Sequence, residues 1–400
     1  MLNYEILDKD EELIKLVDEI LEKAVKENAS DIHIEPKKTY TQVRYRVNGV
    51  LHIPEGYDKI PKKLHEYIIA RIKILSKTIK LDVTLLPQDG VIRMKIEGID
   101  VKFNLLLIPT IYGESLNIVV HRDDDDKLSI EEIFNKDKYL IDKFNKNISK
   151  SEGMILFTGL AGSGKMTILN SAIDQISDVG KKIVTIENIV DVVLNNTSQL
   201  QVHDKIGRTS EHLLRVALRA DADILYISEF RDYDTAHVAF EGSMQGRLIF
   251  STMHTNNAID ALFRCTHMGI KEYLPGSVLQ FILNSKLAKT ICKHCKEEKK
   301  YSKTSLKAVG LTDVEIKSNK FYKGKGCKKC DNTGYKGRVA IMEMLEFTTD
   351  LREAFINGAD NKQITKLAKK EGVYYTHKDD AIKKLKGGFI DLDTARMFTL

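Results

Sequence analysis

Across 400 residues no stretch approaches the roughly 18 to 20 consecutive apolar residues that a membrane span requires. The N-terminus, Met1-Leu-Asn-Tyr-Glu-Ile-Leu-Asp-Lys-Asp10, has no apolar core of a secretory signal. Both absences speak against membrane insertion and lead to the expectation of a cytoplasmic protein. There are only six prolines, and neither an internal repeat nor a low-complexity tract, so solenoid and linker-like chains are set aside. Neither sign of charge dominates, with 62 Lys and Arg against 57 Asp and Glu and a net charge of +5. That balance gives no argument for nucleic acid or a membrane surface as partner. Cysteine is sparse, five in all, which excludes a disulfide scaffold.

What remains is an ordinary globular composition, 42% hydrophobic and 30% charged, on a chain too long for one core and suited to two or three domains. Residues 11–28 carry Leu13, Ile14, Leu16, Val17, Ile20, Leu21 and Val25 at helical spacing. In TQVRYRVNGVLHI, Val43, Tyr45 and Val47 alternate with Arg44 and Arg46, which predicts a strand ending in an Asn48-Gly49 turn. A helix over about 61–77 precedes PQDGVIRMKIEGIDVKFNLLLIP, read as strands joined by turns at Asp89-Gly90 and Glu97-Gly98. The four acids Asp123 to Asp126 read as a solvated connection between domains rather than a metal site. From about residue 150 the pattern changes to short apolar runs, MILFTG, KIVTIE, DILYIS and RLIFSTMH, alternating with helical stretches. Strands buried on both faces indicate a parallel sheet covered by helices.

MILFTGLAGSGKMTIL is such a strand running into a glycine-rich turn and a helix, with Gly159, Gly164 and Lys165 at G-x-x-x-x-G-K spacing and Gly162 and Ser163 between them. Backbone amides at a helix N-terminus cradle phosphates while the lysine reaches the outer ones. After Lys165 comes Met166, where a Ser or Thr hydroxyl normally binds magnesium. Thr167, one residue on, points about 100° away around the helix. Glu187 closes the strand KIVTIE, Asp223 opens the strand that delivers Glu229, and His254 follows STM at a third strand end. The C-terminal ends of strands in an open α/β sheet line the ligand crevice, so Glu187, Glu229 and His254 become candidates to position water, metal or the γ-phosphate. Each taken alone reads more readily as an exposed carboxylate, or for His254 a structural side chain, than as a functional group.

Four cysteines form CxxC-x31-CxxC, with Cys292 and Cys295, then Cys327 and Cys330. Two such knuckles give tetrahedral thiolate coordination with no open position, the pattern of structural zinc. Lys293, Lys296, Lys328 and Lys329 would offset part of the thiolate charge. A nucleic-acid-binding ribbon is the weaker reading. Cys265 has no accompanying signature and reads as a small buried apolar residue.

Together these segments resemble the GspE/PilB branch of the secretion ATPase superfamily. ASDIHIEP (29–36), VRYRVNGVL and PQDG resemble its second N-terminal domain, and TIEN (185–188) its aspartate box. DADILYISEFRD resembles Walker B, STMHTNNA the histidine box, and CKHC with GCKKCDNTGYKGR (326–338) the zinc module. The resemblance implies an α/β protein. An N-terminal α+β domain (1–122) is followed by a linker and connecting helix (123–150) and a RecA-like P-loop parallel-sheet domain (151–290). A zinc-ribbon insertion (291–340) and a helical C-terminus (341–400) complete it. It implies ATP, magnesium and zinc as cofactors, and Arg215 and Arg219 as nucleotide-binding residues. It further implies a homo-hexamer, peripheral at the cytoplasmic membrane, acting on an inner-membrane platform protein. Set against the family, the sequence leads to the expectation that the long first N-terminal domain of many relatives is missing, which puts their docking contacts in doubt. Departures gather at the chemistry: Met166 replaces Thr, the EDPVE box reads Glu187-Asn188-Ile189-Val190-Asp191, and GE reads Ser228-Glu229. Asn104 and Val119 stand where family arginines reach the phosphates. The chain is then either a working motor or a catalytically weak or inactive ring subunit, nucleotide-binding or empty, that partners an active paralogue. A zinc-containing nucleic-acid ATPase has little basic or aromatic patterning behind it.

Overall fold

The computed structural model describes residues 10–47, 49–122, 128–330 and 332–399. The chain forms two compact units, Met1–Lys127 and Leu128–Leu400. Asn48 and the acidic run Asp123 to Asp126 lie outside the described residues.

The first unit begins with α1 (Asp10–Lys26), then β1 (Ala29–Pro36), β2 (Tyr40–Val47), β3 (Val50–His52), β4 (Ile60–Pro61), α2 (His65–Ser76), β5 (Gln88–Ile96), β6 (Ile99–Thr110) and β7 (Gly113–Arg122). The strands form one antiparallel sheet in the order β3-β2-β1-β7-β6-β5, with β4 on β2. Alternation decides which face is buried: Ile32, Ile34, Val43, Tyr45, Phe103, Leu105, Ile118 and Val120 meet Leu16, Val17, Ile20 and Leu21 of α1 and Ile68, Ile69 and Ile72 of α2. The buried Tyr45 hydroxyl donates to the Ile20 carbonyl at 2.7 Å and ties sheet to helix. Glu97-Gly98 makes the expected β5–β6 turn, both residues at positive φ. Asp89-Gly90 does not turn, because both residues lie inside β5. Its glycine answers to close packing instead, since a Cβ there would stand 2.5 Å from Ile79 Cδ1.

The second unit opens with α3 (Ile130–Ile133) and α4 (Lys138–Ile148), then β8 (Gly153–Thr158), α5 (Lys165–Ile176), β9 (Ile183–Glu187), β10 (Thr197–Gln201), α6 (Ser210–Leu218), β11 (Ile224–Ile227), α7 (Tyr233–Met244), β12 (Leu248–Met253), α8 (Ala258–His267), α9 (Tyr273–Val278) and β13 (Leu279–Ile291). β14 (Lys296–Glu298), α10 (Lys303–Ala308), α11 (Asp313–Ser318) and β15 (Tyr322–Gly324) carry the cysteine segment. The chain then returns through β16 (Tyr335–Glu346), α12 (Thr349–Ile356), α13 (Asn361–Lys370), β17 (Tyr374–Tyr375), α14 (His377–Lys386) and α15 (Leu392–Thr399).

The main sheet runs β10-β9-β11-β12-β8-β13-β16-β17, parallel from β10 to β13 and antiparallel beyond. Successive residues of β8 point to opposite cores. Met154 and Leu156 pack toward α6–α9, α12 and α13, while Ile155 and Phe157 pack toward α3, α4 and α5. This two-sided burial is what the unbroken apolar runs anticipated. Residues 130–148 are integral to the second core, where Ile130, Phe134, Leu140 and Phe144 are buried. Residues 341–346, placed with the helical C-terminus by the sequence, belong to β16, which pairs with β13 over most of its length. Among the described residues no helix is long and apolar enough to cross a membrane.

Candidate functional site

Parallel strands place their C-terminal ends along one edge, and β8 there delivers the glycine-rich loop to the N-terminus of α5. Gly159, Gly162 and Gly164 have φ of 146°, 70° and 85°, and Gly164 caps the helix in the left-handed conformation. A Cβ on Gly159 would lie 2.4 Å from Ser163 Oγ and 2.5 Å from the Ser285 carbonyl oxygen, and the latter is fixed in β13. Ser163 Oγ is buried with no hydrogen-bond partner among the described residues. A buried hydroxyl without a partner, beside a helix N-terminus and a lysine, fits a phosphate group that would accept from all three. Gly159→Ala is expected to weaken binding of a fluorescent ATP analogue about tenfold or more, roughly 1.4 kcal/mol. Unchanged affinity in that titration would remove the loop from the binding site.

Lys165 is buried and donates to the Leu160 carbonyl at 3.3 Å and to His254 Nδ1 at 3.4 Å. An ammonium cannot accept, so His254 Nδ1 must, and its proton sits on Nε2. That nitrogen faces Glu229 Oε1 at 3.1 Å, and Glu229 Oε2 receives Arg231 Nε at 2.7 Å. Burial lowers the Lys165 ammonium from its ordinary range, partly opposed by the Glu229 carboxylate. Lys165, at the start of α5, is thus joined in one chain of contacts with His254 and Glu229, two strand-end residues each ambiguous alone in the sequence. Arg231 is the member that sequence reasoning had not singled out.

Met166 and Glu187 belong to a second, drier cluster. The Met166 thioether packs against the core under α5 and accepts from the Tyr226 hydroxyl at 3.8 Å. Burial, then the charges of Glu187 and Asp191, hold the Tyr226 phenol protonated well above its ordinary range. Glu187 is buried, and its Oε1 accepts from Thr185 Oγ1 at 2.6 Å and Gln199 Nε2 at 3.0 Å. The loop therefore fits a nucleotide's phosphates, whereas the residue after its lysine does not fit magnesium, a hard cation that takes oxygen ligands. Thr167 is half-buried on the same turn.

Arg215 and Arg219 are both exposed on and just past α6, and Arg215 pairs with Glu211 at 2.8 Å. Among the described residues neither bonds to the loop. In the first unit Asn104 and Val119 are direct cross-strand partners on β6 and β7, and Asn104 Nδ2 lies 3.1 Å from His121 Nε2. The two positions where the resemblance expects arginines are therefore one spot on the sheet.

The cysteine segment folds as read. Sγ atoms of Cys292 and Cys327 are 4.0 Å apart, Cys295 and Cys330 3.8 Å, and Cys327 and Cys330 3.7 Å, all four lying within 4.8 Å of one another. Four sulfurs at about 2.3 Å around one zinc would stand about 3.8 Å apart. Amides of Gly326 and Gly334 point at Cys295 and Cys330 sulfurs at 3.3 Å, the second shell that thiolates need. The residues present fit zinc. Cys265 is fully buried, and burial pushes its thiol up to about 12, as suits an inert core residue.

Residues 7–396 match the Type II/IV secretion system protein family. Over 373 residues the chain is 35% identical to the type IV pilus assembly ATPase PilB of Thermus thermophilus, covering 93% of this chain and 41% of that protein. It is 31% identical over 402 residues to the type II secretion system ATPase E of Vibrio cholerae, covering 99% of this chain and 78% of that one. The chain spans 41% and 64% of the length of the PilB proteins of Thermus thermophilus and Myxococcus xanthus. Among solved structures, the ATPase DotB of Legionella pneumophila aligns with a TM-score of 0.68 at 18% identity over 96% of this chain and 95% of that one. The pilus retraction motor PilT with bound ADP aligns at 0.61 and 21% identity, covering 95% of each chain.

Proposed function

Since this chain belongs to the Type II/IV secretion system protein family, we propose that it is the ATP-binding subunit of a type IV pilus assembly or type II secretion machine. In this reading it is a homo-hexameric ring, peripheral at the cytoplasmic membrane, that acts on a membrane platform protein. The single observation that carries the nucleotide assignment is the loop itself, with Ser163 Oγ unpartnered inside it among the described residues and Lys165 held at its mouth by His254, which in turn faces Glu229. ATP would bring phosphates that accept from the loop amides and Lys165, freeing His254 and Glu229 to face the γ-phosphate and attacking water. Relatives named as pilus assembly and type II secretion ATPases support the cellular role.

A specific observation favours slow turnover. The Met166 thioether is engaged by Tyr226, so no hydroxyl from that position meets the metal. Binding and hydrolysis then come apart, and the chain acts as a nucleotide-occupied ring subunit alongside an active paralogue. Lys165→Ala is expected to cut nucleotide affinity about 10- to 100-fold, the loss of one charge-assisted hydrogen bond. Calorimetry with ATP and magnesium measures it, with steady-state hydrolysis on the same samples. Equal binding by both proteins would overturn the nucleotide assignment.

A further inference from the structure

Beyond the loop and its neighbours, a buried polar row crosses three strands at the level where β8 ends. Thr158 of β8 is level with Asn284 of β13, and Asn284 with Glu343 of β16. Asn284 Nδ2 donates to Thr158 Oγ1 at 2.8 Å and to the Thr255 carbonyl at 3.1 Å. Glu343 is 3% exposed, and its Oε1 accepts the amide of Ala258, the first residue of α8, at 2.5 Å. Its Oε2 lies 3.0 Å from Nδ1 of His377, 6% exposed and the first residue of α14. A carboxylate only accepts, so His377 Nδ1 carries the proton. Tyr374 adds its phenol to the same carboxylate, and burial together with Glu343 keeps it protonated.

We infer that Glu343 and His377 are positioning residues that set the His254 segment against the phosphate loop. His254 lies only four residues before Ala258, with no regular element between them. Two grips hold that span, Asn284 on the Thr255 carbonyl and Glu343 on the Ala258 amide, and both come from strands rather than from the loop. A buried carboxylate is expensive to desolvate, and apolar residues would pack this interior at least as stably. What the carboxylate adds is direction: it fixes an orphan helix-start amide and lies where the α8 dipole is positive. His377 in turn fixes the carboxylate's rotamer. The geometry of Lys165, His254 and Glu229 is thereby tied to β16 and α14, elements that follow the cysteine segment in the chain.

The proposal rests on the nucleotide-site reading, and its test separates the two. Glu343→Gln keeps shape and loses charge, and His377→Gln frees the carboxylate. Both are expected to lower kcat for ATP about tenfold or more while KM stays within about twofold, as misplaced groups do. Combined with His254→Gln, Glu343→Gln is expected to add nothing further, because the two act through one element. Additive losses, or an unchanged kcat in a folded variant, would overturn it. Where the unmodified protein shows no turnover above Lys165→Ala, amide exchange decides. The Ala258 amide is expected to exchange roughly tenfold faster in both variants while β12 keeps its protection, and unchanged exchange at Ala258 would equally sink the proposal.

Discussion

Cys327→Ser is expected to unfold the cysteine segment, residues 292–334, and to abolish the one zinc per chain that elemental analysis of the unmodified protein should find. The reason is that structural zinc contributes its binding free energy directly to folding, about 10 to 16 kcal/mol in small zinc modules near neutral pH. This segment has little else at its tip. β14 and β15 are three residues each and entirely solvent-facing or half-exposed. Its apolar side chains, Leu306, Val309, Leu311 and Phe321, are not a private core but share one with Ala381, Leu385, Ile390 and Leu392 of the C-terminal region. The damage is therefore expected to stay local. Hydrogen exchange should rise across 292–334 and along α14 and α15, while β8, β11 and β12, buried on both faces of the sheet, keep their protection. A chelator should do the same to the unmodified protein. Cys265→Ser is the control, outside the cluster. Full folding of the segment with no metal bound would refute structural zinc.

Local pattern carried most of the sheet because the physics there is local. A strand such as Gly153–Thr158, buried on both sides, is apolar along its run up to Thr158 at its end, and four such runs announce a parallel layer. The cysteine quartet was legible for the same reason, since two-residue spacings are set by metal geometry. Features made by distant residues were not legible. β16 pairs with β13 some fifty positions earlier, so YKGRVAIMEMLE gave no local sign of joining the main sheet. Gly90 looked like a turn because the side chain it makes room for, Ile79, lies eleven residues earlier in the loop after α2. Glu187 looked like a free strand-end acid, yet Gln199 and Thr185 occupy one of its oxygens. Conversely, His254 and Glu229, each ambiguous alone, became a candidate site once the fold set them 3.1 Å apart.

Met166→Thr is expected to tighten magnesium-dependent ATP binding about tenfold while raising turnover little. The gain follows from the ligand: a hydroxyl oxygen suits magnesium and a thioether does not. The change also has a cost, because Met166 packs under α5 and Tyr226 donates to its sulfur. Shortening it leaves a small void and a buried phenol with no partner, about 1 to 3 kcal/mol of stability that thermal unfolding will register. Tyr226→Phe in the same chain is expected to recover part of that loss. Turnover needs more, because Asn104 and Val119 stand in one spot of the N-terminal sheet where the resemblance places phosphate-reaching arginines. Arginines supplied to a phosphoryl group in other P-loop enzymes accelerate transfer about 10³- to 10⁵-fold. Asn104→Arg with Val119→Arg, added to Met166→Thr, is therefore expected to raise steady-state hydrolysis by orders of magnitude where Met166→Thr alone does not. The triple variant shows this only if the subunits assemble, so sedimentation with an ATP analogue and magnesium must accompany the rates. Should the unmodified protein already turn over at roughly 1 per second or faster, as kinases do, Met166 is a tolerated substitution and the slow-turnover reading falls.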